Sequence, residues 1–245
     1  LAQKLIDSAQ CAGADIVKFQ TFSADRLASV AAPKAGYQLR STDSGESQYA
    51  MLKRLELSLA QHRLLIEYCQ THSMEFLSSP FDILSIDILE RLGVKRLKIP
   101  SGELTHLPYL RRLAKTKLPL IVSTGMATER EVAEALSVLL SQGKAIDDLT
   151  LLHCNTAYPT PYEDVNLRAM ETLRLQFGVA VGYSDHTPGI AVSLAAVALG
   201  AVVIEKHFTL DKRLPGPDQQ ASLNPEELKA LVSGIRAIEK ALGSH

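Results

Sequence analysis

Short apolar runs and amphipathic stretches alternate along the chain. The runs ADIVKFQTF, MEFLSS, VKRLKIPS, LPLIVSTG, LTLLHCN, VAVGYS and AVVIEKHF are rich in Val, Ile, Leu or Phe, and each gives way to a polar tip. Between them, residues 47–69, 83–92, 107–115, 129–140, 167–177 and 190–199 carry apolar side chains at three- and four-residue spacing, which predicts helices. A further helical stretch, LAQKLIDSAQCAG, precedes the first run, and a final helix is expected from Pro225, after Asn224, to Leu242. Thr128 and Glu131 have the spacing of a capping box. Strands without polar alternation, each followed by a helix, indicate a parallel sheet covered on both faces or closed into a barrel.

Counting refines the fold. Seven strand candidates are present, and the first helical stretch has no strand before it. An open seven-stranded sheet would expose long apolar edges, whereas an eighth strand would close a barrel. The expected fold is therefore α/β, a (β/α)₈ TIM barrel lacking its first strand in this chain, with residues 1–245 forming one barrel domain. A Rossmann fold is disfavoured because QTFSADRLAS, not a GxGxxG turn, follows the first run. Residues 24–46, with Pro33, Gly36 and Gly45, form one long irregular stretch and read as a loop or lid beside a site.

Composition removes several functions. A net charge of -1 gives no global reason to expect a phosphate backbone as partner, leaving only local positive pockets, and an aromatic content of 5% without tryptophan makes stacking platforms a poor expectation, so nucleic acid is not an expected partner. Cys11, Cys69 and Cys154 form no CxxC pair, which suits a reducing compartment. No apolar run approaches the roughly 20 residues that span a bilayer, so neither a membrane span nor a membrane partner is expected, and the protein is expected in the cytoplasm.

In a barrel the C-terminal strand ends face one mouth. Those ends carry Lys18 and Gln20; Ser78 and Ser79; Lys98, Ser101 and Glu103; Ser123 and Thr124; His153, Asn155 and Thr156; Ser184, Asp185 and His186; and Glu205 and His207. Two ammonium groups among hydroxyls suit phosphate and carboxylate oxygens. His186 and His207, on neighbouring strands, either meet one divalent ion or form a hydrogen-bonded pair. Glu103 is a candidate general acid or base. A Ser–His–Asp triad is disfavoured because SDH is consecutive, while that relay is spatial. A Schiff-base aldolase is a further reading of the lysines. His62 reads as a packing residue, and Asp218 as a substrate-orienting or loop-capping one.

The motifs VKFQTF, FLSSPFD, KIPSGE, STGMAT, LLHCNTAYPTPYEDVNLRAM, GYSDHTPGI and IEKHFTLDKRLPGPD occur in the order found in the sialic acid synthase family. The chain resembles that family over essentially its whole length. The family condenses phosphoenolpyruvate with an N-acylated amino sugar, and its bacterial members are the expected kin. The resemblance implies a catalytic barrel whose first strand supplies a glutamate, followed by a small antifreeze-like domain that reaches across a homodimer; neither that strand nor that domain lies within this chain. It also implies that Lys18, Ser79, Lys98, Ser101, Ser123 and Ser184 hold the phosphate and carboxylate of phosphoenolpyruvate, with Asn155 or Thr156 as a further phosphate contact. Gln20, Tyr158 and Asp218 would line the sugar side, and Glu103 would assist proton movement. His186 and His207 would hold a divalent ion, Mn²⁺ ahead of Mg²⁺ or Co²⁺, that polarises the sugar aldehyde.

The reaction so implied is synthesis of N-acetylneuraminate from N-acetylmannosamine, phosphoenolpyruvate and water. Legionaminate or another keto-acid sugar is the alternative product, and a barrel kept as a phosphoenolpyruvate-binding or assembly module is the non-enzymatic alternative. The sequence departs from the family pattern at Ser79, where threonine is usual, at His106, where asparagine is frequent, and at Gln219, where histidine is.

Overall fold

A computed structural model describes residues 1–34, 36 and 45–243 of the protein. The elements are α1 (Ala2–Ala12), β1 (Ile16–Thr21), α2 (Ala24–Leu27), α3 (Gln48–Leu55), α4 (Leu59–Thr71), β2 (Glu75–Pro80), α5 (Ile83–Arg91), β3 (Leu97–Ile99), α6 (Leu107–Ala114), β4 (Leu120–Ser123), α7 (Glu129–Ser141), β5 (Leu149–Cys154), α8 (Ala169–Phe177), β6 (Ala180–Asp185), α9 (Ala191–Ala198), β7 (Ile204–Lys206) and α10 (Pro225–Leu242). Each of the seven predicted runs is a strand. All observed ladders are parallel: β1 pairs with β2, and β3 to β7 pair in chain order as a second sheet. The two sheets meet where β2 lies alongside β3. Among the described residues no ladder joins β7 to β1, so the strands form an open, partial barrel. Of the expected loop over residues 24–46, residues 35 and 37–44 lie outside the described residues, and its start is the short helix α2.

Strand alternation sorts side chains between two cores. Leu77, Ile121 and Leu152 pack inside the barrel with Ile16 and Val203, forming a floor. The larger core lies between strands and helices, where Val122, Leu151, Val181 and Tyr183 meet helix residues such as Ile86, Leu110, Leu136 and Ala196. The inward residues one step above the floor are Lys18, Ser79, Ser123, Cys154, Ser184 and Glu205. A polar layer thus sits on an apolar floor at the C-terminal strand ends.

The interior is closely closed at Gly182. A Cβ there would stand 2.3 Å from the Val203 carbonyl oxygen and 2.7 Å from Leu152 Cδ2. The carbonyl belongs to the backbone and cannot swing away, so Gly182→Ala is expected to cost about 1–3 kcal/mol by overpacking. A urea unfolding curve with unchanged midpoint would contradict this account of the floor.

The helix expected over 47–69 is two helices. Ser58 interrupts it: its Oγ accepts from Gln61 N at 3.2 Å, while Ser58 N donates to Gln61 Oε1 at 2.7 Å. This capping box begins α4 and leaves Glu56 extended after α3. The apolar period runs through the break because both helices pack on the same core. The predicted boxes elsewhere form as expected at Thr128–Glu131, and Asn224 caps α10 with Pro225 in its first turn.

His62 is a buried structural histidine. Its Nδ1 lies 3.0 Å from the Ser58 carbonyl, which only accepts, so Nδ1 carries the proton and Nε2 accepts from Thr21 Oγ1 at 2.8 Å. Thr21 Oγ1 is in turn 2.7 Å from Ser78 Oγ. Ser78 therefore faces the helix layer and not the mouth, and β1 and β2 are pinned to α4 behind the site.

Candidate active site

The centre of the mouth is a carboxylate between two lysines. Glu205 Oε2 lies 2.8 Å from Lys18 Nζ, and Oε1 lies 3.8 Å from Lys98 Nζ. Ser184, paired with Glu205 across the β6–β7 ladder, donates its hydroxyl to Oε1 at 2.9 Å. Lys98 Nζ also donates to Ser123 Oγ at 2.5 Å and to the Ile99 carbonyl at 3.2 Å. Four strands, β1, β3, β6 and β7, together with Ser123 at the end of β4, deliver this cluster, with Ser184 and Glu205 in direct register and the long Lys18 and Lys98 side chains reaching Glu205.

Electrostatics follow from burial. Lys98 is 2% exposed, and loss of hydration pushes its ammonium down to about 8, with Glu205 opposing and Lys18 reinforcing the shift. Burial alone would raise the Glu205 carboxyl; Lys18 and Lys98 outweigh it and hold the group well below the usual carboxylate range. The mouth therefore contains a charged triad of Lys18, Glu205 and Lys98 with one excess positive charge at neutral pH.

Beside the triad stands an aromatic cluster. The His186 and His207 ring centroids are 5.3 Å apart, and Tyr158 packs against both, at 4.2 Å and 5.7 Å respectively. His186 Nδ1 is 2.6 Å from the Asn155 carbonyl, so that nitrogen carries the ring proton and Nε2 is left as the acceptor. Burial lowers the His186 pKa and pushes His207 down to about 3, the latter reinforced by the positive charge of Lys18, so both rings are neutral near pH 7. Asp218 Oδ2 is 3.8 Å from His207 Nδ1, and burial raises its carboxyl.

The expected metal centre is corrected by this geometry. Among the described residues no group of three or more His, Cys, Asp or Glu side chains is placed to hold a metal ion. A pair of imidazoles, one with its Nδ1 committed to a carbonyl, does not supply the oxygen-rich shell that suits manganese or magnesium. The expectation of Mn²⁺, Mg²⁺ or Co²⁺ at His186 and His207 does not hold: His186 is a hydrogen-bonded imidazole, and His207 packs against it and Tyr158.

Other expected residues fall around this core. Ser101 Oγ accepts from Gly125 N at 3.0 Å and lies 3.4 Å from Cys154 Sγ. A Cβ on Gly125 would meet Ser101 Oγ and Thr156 Cγ2, both at 2.9 Å, so the two loops close tightly there. Thr156 is exposed at the rim, as is Gln20 at the end of β1, beside the buried Ser79 in the β1–β2 register. Asn155 Nδ2 donates to the Asp164 carbonyl at 2.7 Å, so its amide nitrogen is already engaged, while Oδ1 is buried without a hydrogen-bond partner. Glu103 Oε2 is held by His106 Nδ1 at 2.8 Å, and the His106 ring stacks on Tyr109. His153, expected at the mouth, points the other way: Nε2 bonds the Val165 carbonyl at 2.7 Å and the ring packs on Tyr183.

Glu205 is the residue whose role the sequence reading missed. Its period-two spacing from His207 within IEKHF places both on one strand face, a signal that was available. What is visible only in three dimensions is that Lys18 and Lys98 converge on it.

The profile of the NeuB family matches residues 5–245. The N,N'-diacetyllegionaminic acid synthase of Campylobacter jejuni is 55% identical over 243 residues, covering 99% of this chain and 73% of that protein. The Legionella pneumophila protein of the same name is 54% identical over 246 residues, covering 100% of this chain and 69% of that protein. The crystal structure of N-acetylneuraminic acid (sialic acid) synthetase from Leptospira borgpetersenii, in complex with citrate, superimposes with a TM-score of 0.87 at 34% identity and covers 100% of this chain and 80% of that one.

Proposed function

Because the chain belongs to the NeuB family of sialic acid synthase-like enzymes, we propose that its barrel mouth condenses phosphoenolpyruvate with an amino sugar carrying two acetamido groups, giving an N,N'-diacetyllegionaminic acid-type nonulosonic acid and phosphate. The observation that carries the reaction is the convergence of Lys18 and Lys98 with Ser123 and Ser184 above an apolar floor. Ammonium groups and hydroxyl donors at low hydration are suited to the two anionic ends of phosphoenolpyruvate. Ser79 in the polar layer, Ser101 and, at the rim, Thr156 add further hydroxyl donors to the set. Support for the acceptor comes from the relatives at 55% and 54% identity, against 34% for the N-acetylneuraminic acid synthetase, and it moves the reading from N-acetylmannosamine to the diacetamido sugar.

In this reading the enol π pair of phosphoenolpyruvate attacks the aldehyde carbon of the open-chain sugar, forming the new C–C bond while the C=O π pair moves to the aldehyde oxygen, which takes up a proton to become a hydroxyl. Water adds to the resulting oxocarbenium carbon, and the tetrahedral adduct expels phosphate by breaking its C–O bond. Lys18 and Lys98 attract the phosphate throughout, with Glu205 offsetting one of their two charges. His186, with Nδ1 tied to Asn155, offers Nε2 to a hydroxyl or water proton. Glu103, oriented by His106, serves proton transfer at the rim, and Gln20, Tyr158 and Asp218 line the sugar side. Holding two reactants in one water-limited mouth supplies the orientation that a bimolecular condensation otherwise lacks.

The test is phosphate release from phosphoenolpyruvate with a panel of aldoses. Release with the 2,4-diacetamido trideoxy hexose exceeding that with N-acetylmannosamine is the expected result. Preference for N-acetylmannosamine would return the protein to neuraminate synthesis, and binding without turnover on any sugar would leave a phosphoenolpyruvate-binding module.

A further inference from the structure

Behind the mouth, on the faces of β6 and β7 that point away from it, lies a second charged pair. Strand alternation sends Ser184 and Glu205 inward and their successors Asp185 and Lys206 outward, and these successors are partners in the ladder. Lys206 Nζ stands 2.9 Å from Asp185 Oδ2, with side chains 3% and 0% exposed. The carboxylate also accepts from Thr187 N at 2.8 Å, Thr187 Oγ1 at 2.7 Å and Ser193 Oγ of α9 at 2.5 Å. Lys206 Nζ closes the ring by donating to the Thr187 carbonyl at 2.6 Å.

Two apolar residues would fill this space at similar stability, because a buried ion pair recovers little beyond its own dehydration. What an apolar pair would not supply is direction. The ring of bonds ties the residue before His186 and the residue after it to one point on β7, and that point immediately precedes His207.

We propose that the Asp185–Lys206 pair is a positioning element that holds His186 and His207 at their working separation and orientation. Its two ends grip the chain on either side of His186, through Asp185 and through Thr187, so the backbone at that imidazole cannot pivot. On the mouth side the same residue is held by His186 Nδ1 to the Asn155 carbonyl and by Thr160 N donating to the His186 carbonyl at 2.9 Å. Lys206 fixes the neighbouring strand in the same register. Neither member of the pair touches substrate; both act through the imidazoles. Only the kinetic part of the argument rests on the condensation proposed above.

The experiment uses the whole protein labelled with ¹⁵N-histidine and compares the charge-neutral double variant Asp185→Asn/Lys206→Met with Lys206→Arg and Thr187→Val. The double variant keeps an amide oxygen to accept from Thr187, turns the second position into an N–H that donates to Ser193 Oγ, and leaves no unpaired charge. In that folded variant the His186 Nδ1–H resonance is expected to shift or broaden, its nuclear Overhauser contact with Tyr158 to weaken, and kcat to fall about 10- to 100-fold at unchanged KM for phosphoenolpyruvate, as a displacement near 1 Å brings. Lys206→Arg keeps the pair and should restore the ring signals and most of kcat; Thr187→Val, which removes one bond while preserving shape, should give the same changes at smaller size. Wild-type ring signals in the folded double variant, or a fall in kcat matched by an equal loss of folded protein, overturns the proposal. If the wild-type protein turns over no acceptor, the reading of its function fails, while the ring spectra still decide the positioning role.

Discussion

Lys98→Met is expected to lower kcat/KM for phosphoenolpyruvate by about 10²- to 10³-fold, because removing one partner of a buried charge-assisted contact typically costs 2–5 kcal/mol. Methionine keeps an unbranched stem of similar length over the floor, so the loss falls on the charge and its donors. Glu205 retains Lys18 at 2.8 Å and Ser184 at 2.9 Å, which leaves the rest of the cluster paired. The same lysine sets a pH dependence. With its ammonium pushed down to about 8 by burial, kcat/KM should decline above about pH 8 as the charge is lost. Lys98→Arg should flatten that decline, since a guanidinium stays charged. Stability moves the other way. The folded-state value lies below the unfolded one of 10.5, so between about 8 and 10.5 the unfolded chain holds more protons, and the contribution of Lys98 to stability rises with pH across that window. Unchanged kcat/KM in folded Lys98→Met would remove the lysine from the anion site.

Glu205→Gln is expected to destabilise the protein by about 3–5 kcal/mol, because it leaves the ammonium groups of Lys98 and Lys18 facing one another without their shared anion. The deficit should be repaired by ligand: phosphoenolpyruvate or inorganic phosphate, binding the folded state, should raise the melting temperature of the variant more than that of the wild type. Equal thermal shifts in the two proteins would mean that Glu205 and the substrate anion do not share these lysines.

Much of this site was legible in one dimension, for physical reasons. Seven apolar runs ending in polar tips read as strands with one functional end, and Lys18, Lys98, Ser123, Ser184, His186 and His207 do converge there. The differences have separate physical sources. Where both faces of a strand end are polar, composition does not say which face looks inward, and Ser78 and His153 proved to bond the helix layer. Two histidines on adjacent strands suggested a metal, but ligation depends on a third donor and on free ring nitrogens, neither of which spacing reveals. The helix break at Ser58 was concealed for the opposite reason: the capping signature SLAQ was present, but an uninterrupted apolar period masked it. Asp185 and Lys206 lie in sequence between inward residues, a position that marks both as outward.

The most direct test of the condensation itself is the fate of the bridging oxygen. Phosphoenolpyruvate carrying ¹⁸O in its C–O–P bridge is incubated with the protein and the 2,4-diacetamido trideoxy hexose, and the released phosphate is weighed by mass spectrometry. The account predicts sugar-dependent release with the label in phosphate, as C–O cleavage requires. Unlabelled phosphate, formed by P–O cleavage with the label left on the organic product, would contradict it.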